Sequence, residues 1–349
     1  MQVNGPRRLQ RISHLPIHDA IEQRMKNAWQ KYKERAFNAL RILVSIVLIV
    51  LIVRSVDLAT LWNVLQSADP WYLVAALVVS MLGVAVRAVR WQILLRDQTV
   101  SASLGELTTL WFISFLFTNL LPSGIGGDAI KAYELSRSTG QSAQVISTVL
   151  VDRFMGLFAL QAIALVALLF SWWLIPSQIA IFTVVIFGVS LLIAWLISSK
   201  PLWDGLARRL PLFARVLAVR PVHALVRSLQ SYSSGALARA FGVGVSFNIL
   251  LIAMNVLLGY ALHMDLPLAY YLVFVPITSV VLIAPISFAG LGVREGAYVY
   301  LFTQVGVAQA VALSLSLLVY VIGTVAPGVV GGVAYLLRGA HSYRVLEEK

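Results

Sequence analysis

Two segments of the sequence combine proline, glycine and a basic residue at matching spacing. One is Pro-Ser-Gly-Ile-Gly-Gly-Asp-Ala-Ile-Lys, from Pro122 to Lys131, and the other is Pro-Ile-Ser-Phe-Ala-Gly-Leu-Gly-Val-Arg, from Pro285 to Arg294. Proline removes a backbone donor, and glycine lets another group approach the main chain closely. A helix that restarts after such a break presents free N–H groups and a dipole that favours an anion. Both segments therefore predict binding of a phosphate or a carboxylate, with Lys131 and Arg294 adding a cation.

The acidic residues beside the breaks have two interpretations. Asp128 can cap the restarting helix or pair with Lys131 three residues later, and Glu295 adjoins Arg294 in a similar way. For the breaks themselves, the alternative to a site is a pair of ordinary kinks whose basic side chains reach the membrane surface. Matched helix breaks in corresponding halves of a membrane protein point to a binding site, so the sequence favours the site.

Asp152 and Arg153 lie inside an apolar stretch, Val-Leu-Val-Asp-Arg-Phe-Met-Gly-Leu-Phe. Charges within a membrane helix are costly and usually face a cavity. We predict that Arg153 contacts the ligand and that Asp152 is its counter-ion or a proton carrier; an interfacial salt bridge is the alternative. The candidate substrate-binding residues are Pro122, Gly126, Gly127, Asp128, Lys131, Asp152, Arg153, Pro285, Gly290, Gly292, Arg294 and Glu295.

The composition is that of an integral membrane protein. Hydrophobic residues make up 59% of the 349 and charged residues only 12%, with a mean hydropathy of +0.85. Apolar runs recur at about the 20 residues that a spanning helix needs, and the alternating strands of a membrane barrel are absent. The formal net charge of +12 falls in loops beside the runs, which indicates positive-inside topology and no nucleic-acid partner.

The apolar runs predict an all-α polytopic membrane protein. About six full spans are expected, at 42–56, 71–89, 146–170, 174–198, 240–262 and 308–337. The two broken segments, 104–135 and 270–304, are expected to be re-entrant helical hairpins. An alternative counts eight spans, and a simpler count in which each hairpin is two tilted spans keeps the same assignment of sides.

The distribution of basic residues predicts the topology. Residues 1–41 form a cytoplasmic segment with an interfacial amphipathic helix, for which a plain cytosolic tail is the alternative. Residues 42–338 form the transmembrane domain, with a basic cytoplasmic loop at 199–239, and residues 339–349 a cytoplasmic tail. Counting sides then makes the halves 71–170 and 240–337 an inverted repeat. No signal peptide is expected, and the predicted location is the plasma membrane of a bacterium or an archaeon.

Three blocks of the sequence resemble the transmembrane domain family of lysylphosphatidylglycerol synthases. They are Asn119-Leu-Leu-Pro-Ser-Gly-Ile-Gly-Gly-Asp-Ala-Ile-Lys-Ala-Tyr, Asp152-Arg-Phe-Met-Gly-Leu, and Pro285-Ile-Ser-Phe-Ala-Gly-Leu-Gly-Val-Arg-Glu-Gly-Ala-Tyr. The resemblance covers nearly the whole chain from about residue 40, and residues 290–296 are its most specific part. It implies a flippase-like domain, which in the enzymes that name the family moves an aminoacylated phospholipid across the bilayer.

This sequence departs from the family pattern in three ways. The soluble aminoacyl-transferase domain is missing, Asp152 stands where Glu is common, and Lys131 stands where Arg is common. The resemblance therefore does not imply lysyl-phosphatidylglycerol as the substrate. Relatives linked to polyprenyl-phosphate sugar pathways keep that lipid class open.

The leading hypothesis is a flippase that moves a phosphate-containing lipid between leaflets. The lipid is an anionic or aminoacylated phospholipid or a polyprenyl-phosphate-linked lipid. Two alternatives stay open: a membrane-embedded lipid-modifying transferase, and a non-transporting scaffold whose 199–239 loop docks a soluble enzyme. With no cysteine, no shared histidine spacing and no Walker motif, we expect no metal, no cofactor and no catalytic residues. A homo-oligomer is compatible with the sequence.

Overall fold

The computed structural model describes residues 58–121, 126–199, 205, 227, 228, 230–283 and 290–347. Within these residues the chain is helical and contains no β-strand. Five helices are long and apolar enough to cross a membrane: Pro70–Asp97, Ser142–Ser171, Ser177–Leu196, Ser234–Ala261 and Gln309–Leu337. The all-α polytopic prediction is confirmed.

The helices are labelled here in chain order. They are α1 (Leu58–Gln66), α2 (Pro70–Asp97), α3 (Leu104–Leu120), α4 (Gly126–Thr139), α5 (Ser142–Ser171), α6 (Ser177–Ser198), α7 (Ser234–Ala261), α8 (Leu268–Val281), α9 (Val293–Thr303), α10 (Gln309–Tyr320) and α11 (Ala326–Glu347), with the π-helical turn Val321–Val325 between the last two.

Polar residues mark the starts of three helices. Asp69 accepts a hydrogen bond from the Trp71 N–H at the start of α2. Ser103 caps α3 through the Glu106 N–H, and Ser233 caps α7. Each side chain satisfies a backbone donor that the first helical turn leaves free. These caps fix where the chain turns between helices.

Five predicted spans correspond to described helices, but several boundaries differ. Helix α2 continues eight residues beyond the predicted 71–89, to Asp97, and α7 begins at Ser234 instead of 240. The last helix runs to Glu347, into the predicted tail 339–349. The span predicted at 42–56, the interfacial helix within 1–41 and most of the 199–239 loop lie outside the described residues.

Both predicted hairpins consist of two short helices around a break. Helices α3 and α4 flank residues 122–125, and α8 and α9 flank 284–289. With about 1.5 Å of rise per residue, the limbs are about 26, 21, 21 and 17 Å long, against about 30 Å of hydrocarbon. Such lengths favour re-entrant limbs. Pro122 and Pro285 lie in the breaks, outside the described residues.

The helix contacts follow the predicted division into two halves. Helix α2 of the first half packs on α7 of the second. Helix α3 packs on α11, and its counterpart α8 packs on α5. In this comparison α2, α3, α4 and α5 correspond in order to α7, α8, α9 and the α10–α11 helix. Under this correspondence, the contact of α3 with α11 matches the contact of α8 with α5. This pattern supports two related halves, and their inversion in the membrane stays a prediction.

The end of the basic loop is attached to the first half by hydrogen bonds. Ser233 donates through its hydroxyl and its N–H to Asp97 at the end of α2. Ser228 donates to Gln98, and Ser147 of α5 lies 3.0 Å from the Tyr232 hydroxyl. Burial raises the pKa of Tyr232, so the hydroxyl is neutral in this cluster. The loop therefore rejoins the bundle at a fixed place.

Candidate functional site

A cavity of about 290 Å³ lies between the two halves. Its wall contains residues of α2, α3, α4, α5, α7, α8, α9 and the α10–α11 helix, including Thr324 of the π turn. Four predicted site residues line it: Asp128, Asp152, Arg153 and Arg294. Neither half alone forms this space, because each contributes a broken hairpin and the helices beside it.

The glycines of the first break allow very close packing. A Cβ on Gly127 would overlap the Ser114 carbonyl oxygen and the Thr118 hydroxyl of α3. Gly126 and Gly127 are both buried. The restarting helix α4 therefore begins in contact with α3, as the predicted close approach requires.

The glycines of the second break have a different role. Gly290 and Gly292 have φ angles of +79° and +82°, a backbone region that favours glycine. The Gly292 N–H donates to Glu295 Oε2 at 2.6 Å, so the Glu295 carboxylate caps the start of α9. Of the interpretations considered for Glu295, the structure supports capping.

One carboxylate of α4 joins two basic residues. Asp128 Oδ1 lies 2.8 Å from Lys131 Nζ, and Asp128 Oδ2 accepts from Arg153 Nη1 at 3.0 Å. The Lys131 side chain is 1% exposed, and its ammonium lies 3.3 Å from the centre of the Trp111 ring. Lys131 therefore acts on the cavity through Asp128 and Trp111, while Arg153 lines the cavity directly.

Asp152 forms a second, deeply buried ion pair with α2. Arg90 Nε and Nη2 donate to its two oxygens at 2.6 and 3.1 Å, and the two side chains are 4% and 2% exposed. Gly156 makes room for this pair, since a Cβ there would come within 2.7 Å of Arg90 Nη1. The prediction that Asp152 is the counter-ion of Arg153 is wrong. Side chains at positions i and i+1 of a helix do not face each other, so Asp152 and Arg153 pair with residues of different helices.

Arg87 lies in the cavity wall and, among the described residues, contacts aromatic rings instead of a carboxylate. Its guanidinium carbon lies 4.1 Å from the centre of the Phe247 ring, 5.2 Å from Trp111 and 5.4 Å from Phe115. Among the described residues, no carboxylate oxygen lies within 4.0 Å of this guanidinium. Its positive charge is therefore held by aromatic faces and left available to a ligand.

Arg294 connects the second hairpin to the last helix. It lines the cavity, its guanidinium carbon lies 4.4 Å from the centre of the Tyr320 ring, and its Nη1 lies 3.7 Å from Glu295 Oε1. The Tyr320 hydroxyl donates to Asn119 at the end of α3. The end of α3 and the start of α9 are thus linked through Tyr320.

Sequence reasoning missed the contribution of α2. The predicted span 71–89 ends beside Arg87 and Arg90, but α2 continues to Asp97 and both arginines line the cavity. The signal available was the apolar sequence Trp-Gln-Ile-Leu-Leu that follows Arg90. A membrane helix that remains apolar beyond its basic residues has those residues inside it.

An apolar groove of about 410 Å³ lies next to the second hairpin. Its lining includes Phe182 of α6, Val281 of α8 and Val293 of α9. The chain neighbours Leu282 and Arg294 line the charged cavity instead. Residues at the end of α8 and at the start of α9 therefore line a charged space and an apolar one.

The described residues contain no group of three or more His, Cys, Asp or Glu side chains placed to share a metal ion. Asp128, Asp152 and Glu295 have the basic or backbone partners given above. The arginine side chains around the cavity are suited to holding an anionic group.

The fold and site define a polytopic α-helical membrane protein with a charged cavity between two broken hairpins. Residues 38–331 match the family described as the lysylphosphatidylglycerol synthase TM region. The chain belongs to this family, which confirms the resemblance seen in the sequence blocks.

Similar proteins occur in archaea. A UPF0104 membrane protein of Methanothermobacter thermautotrophicus is 21% identical over 306 residues, which cover 79% of this chain and 86% of that protein. Another from Pyrococcus horikoshii is 22% identical over 326 residues, covering 85% of this chain and 96% of that protein. A third, from Methanocaldococcus jannaschii, is 22% identical over 325 residues, covering 85% and 93%. These names describe membrane proteins.

Proposed function

We propose that this protein is a flippase-type transporter of a phosphate-containing lipid. The observation that carries the proposal is the cavity between the halves, whose wall includes Arg87, Arg153 and Arg294 from three different helices. Arginines from separate elements can surround a phosphate and form charge-assisted hydrogen bonds with it. Relative movement of the two hairpins would then open this space to one leaflet and to the other.

The apolar groove favours a lipid over a water-soluble anion. It lies on the other side of the second hairpin from the charged cavity, and consecutive residues such as Val293 and Arg294 line the two spaces. A lipid has an anionic head group and apolar chains, and these two environments match its two parts. A soluble phosphate would leave the groove without an occupant.

The state of the carboxylates favours transport over catalysis. Asp152 is paired with Arg90, Asp128 with Lys131 and Arg153, and the Glu295 carboxylate caps α9. A general acid or base must reach a proton of the substrate, whereas both oxygens of Asp128 and both oxygens of Asp152 contact basic side chains. The carboxylates therefore serve to hold the arginines in place.

Lipid transfer in reconstituted vesicles tests the proposal. The probes are tail-labelled phosphatidate and phosphatidylglycerol, with quenching of the outer-leaflet label by an impermeant reagent as the readout. We expect the Arg87→Gln, Arg294→Gln double variant to transfer these lipids at least about tenfold more slowly, because each lost charged hydrogen bond contributes about 1.5–3 kcal/mol.

The control is Arg239→Gln, which removes an exposed arginine at the start of α7, away from the cavity. This variant should transfer lipid at the rate of the unmodified protein. Undiminished transfer by the folded double variant would rule out the proposed site.

A further inference from the structure

The charged residues around the cavity are unequal in number. Among the residues that the structure describes there are five cations, Arg87, Arg90, Lys131, Arg153 and Arg294, and three carboxylates, Asp128, Asp152 and Glu295, which leaves an excess of two positive charges. The break segments 122–125 and 284–289 add no charge, since their sequences are Pro-Ser-Gly-Ile and Ala-Pro-Ile-Ser-Phe-Ala.

The excess charge has a definite place. The Arg90 and Asp152 pair is balanced, with two hydrogen bonds between the partners. One surplus charge is on Arg87, which stacks on Phe247. The other surplus charge arises because the single carboxylate of Asp128 contacts two basic side chains, Lys131 and Arg153. Arg87, Asp128 and Arg153 all line the cavity, so both surplus charges face the same space.

The cavity wall also contains donors that lack acceptors. Arg87 Nε, Arg90 Nη1 and Trp111 Nε1 are buried and have no hydrogen-bond partner within the described part of the chain. All three side chains line the cavity. Buried donors are normally satisfied, and phosphate oxygens are strong acceptors for arginine and indole N–H groups. The described part of the wall therefore has more positive than negative charge, and three of its buried donors have no acceptor.

We propose that the cavity is matched to a lipid head group with two negative charges on phosphate, such as a phosphomonoester or a diphosphate esterified at both ends. This inference rests on the proposed function and specifies its substrate class. A phosphomonoester carries about −1.5 to −2 charges at pH 7, whereas a phosphodiester carries about −1. Aminoacylation with lysine adds positive charge to a phosphodiester lipid. The net charge of that head group is then further from the two negative charges that would balance the cavity wall.

A pair of lipids that differ in one methyl group tests this selectivity. Dioctanoyl phosphatidate and its methyl ester, dioctanoyl phosphatidylmethanol, are titrated calorimetrically into the purified full chain in detergent at pH 8. The second ionisation of a phosphomonoester has a pKa of about 6, so the first lipid is then doubly charged. We expect phosphatidate to bind at least about tenfold more tightly than the ester, because one negative charge is lost in the ester.

Arginine variants attribute the selectivity to the surplus charges. Arg87→Gln should reduce the preference to less than about threefold. Arg87→Lys, which keeps the positive charge, and the exposed control Arg239→Gln should retain most of it. Arg153→Gln removes the other surplus charge and should have the effect of Arg87→Gln. It replaces that variant if Arg87→Gln does not fold, as judged by thermal unfolding.

The possible results separate the two proposals. Equal affinities for both lipids, with loss of both in Arg87→Gln, would overturn the dianionic selectivity and leave the proposed transport of phosphate lipids intact. Binding of both lipids no stronger than that of dioctanoyl phosphatidylcholine would contradict both proposals. A preference for phosphatidate that both folded glutamine variants retain would show that the surplus charges do not select the head group.

Discussion

Two neighbouring residues, Asp152 and Arg153, show how a helix separates the functions of adjacent charges. Successive side chains on an α-helix are about 100° apart around the axis. Asp152 therefore faces α2 and binds Arg90, while Arg153 faces α4 and binds Asp128. One apolar helix can in this way contribute to a buried structural pair and to the wall of a cavity.

The Arg90 and Asp152 pair should behave as a structural unit. Breaking a buried ion pair leaves one charge uncompensated and costs about 3–5 kcal/mol, whereas replacing both partners by apolar residues is often neutral. We therefore expect Arg90→Met and Asp152→Leu each to lower the thermal unfolding temperature strongly, and the double variant to recover most of the loss. Thermal unfolding in detergent measures all three.

A matched comparison is available at Arg153, whose side chain is 38% exposed. Arg153→Met should cost much less stability than Arg90→Met, since an exposed ion pair contributes only about 0–1 kcal/mol. A double variant as unstable as the worse single one would show that the Arg90 and Asp152 charges do not compensate each other.

At the residue scale, the sequence predicts which charged side chains take part in the site better than it predicts which side chains pair with each other. Asp128 with Lys131 is a pair three residues apart on one helix, and the i, i+3 rule predicts it. Arg90 and Asp152 are 62 residues apart, and only the packing of α2 on α5 brings them together. No periodicity in the sequence contains that information.

At the scale of elements, a π turn in the last helix provides a hydrogen bond to the first hairpin. Pro327 has no N–H for the Gly323 carbonyl, and the helix opens into a π turn over Val321–Val325. Side chains of other helices satisfy the opened carbonyls: Ser80 donates to Ile322, and Asn119 donates to Thr324 at 3.2 Å. Donation from neighbouring helices is how such irregularities are tolerated in membranes.

Asn119 is the centre of this junction and should be energetically coupled to Tyr320. Its amide donates to Thr324, and its oxygen accepts from the Tyr320 hydroxyl at 2.8 Å. Tyr320→Phe should cost about 1 kcal/mol and Asn119→Leu about 2 kcal/mol, because the second change leaves a partly buried carbonyl and a hydroxyl without Asn119 as their partner. The free energies of unfolding of the single and double variants give the coupling.

The expected coupling between the two substitutions is about 1 kcal/mol, since the double variant loses their shared hydrogen bond only once. Phenylalanine at 320 keeps the ring that Arg294 contacts, so the cycle isolates the hydroxyl. Effects that add within about 0.5 kcal/mol would show that the two residues act independently.

The element boundaries that sequence reasoning could predict depended on local chemistry. Both hairpins were predicted because proline and glycine interrupt apolar runs, and α8 and α9 do flank the second break. The end of α2 was misplaced because Arg87 and Arg90 resemble the basic border of a span. Whether such residues lie at a surface or inside a bundle depends on neighbouring helices.

At the scale of the whole molecule, the two halves use the same sequence of elements. A long helix, two short helices around a break and another long helix occur first in α2 to α5 and again in α7 to α11. The first hairpin packs against the last helix of the second half, and the second hairpin packs against the last helix of the first half. This exchange brings the helix ends beside both breaks to one cavity, although the two halves are consecutive in sequence.

The predicted inversion of the halves has a direct consequence for the loops. Ser101 and Ser138 lie near the two ends of the first hairpin, whereas Asp265 and Gln304 lie near the two ends of the second, and all four residues are exposed. The chain has no native cysteine, so one cysteine at each position gives a specific signal. Labelling intact cells with an impermeant maleimide, before and after permeabilisation, measures the side of each position.

We expect cysteine at Asp265 and Gln304 to react in intact cells, and cysteine at Ser101 and Ser138 to react only after permeabilisation. The reason is the basic character of the flanking segments, which places the first hairpin's ends on the cytoplasmic side. If each hairpin instead crosses the membrane as one tilted span, its two ends must react from opposite sides. If all four positions react from one side, the halves are parallel, and alternating closure of two opposed hairpins is no longer an available mechanism.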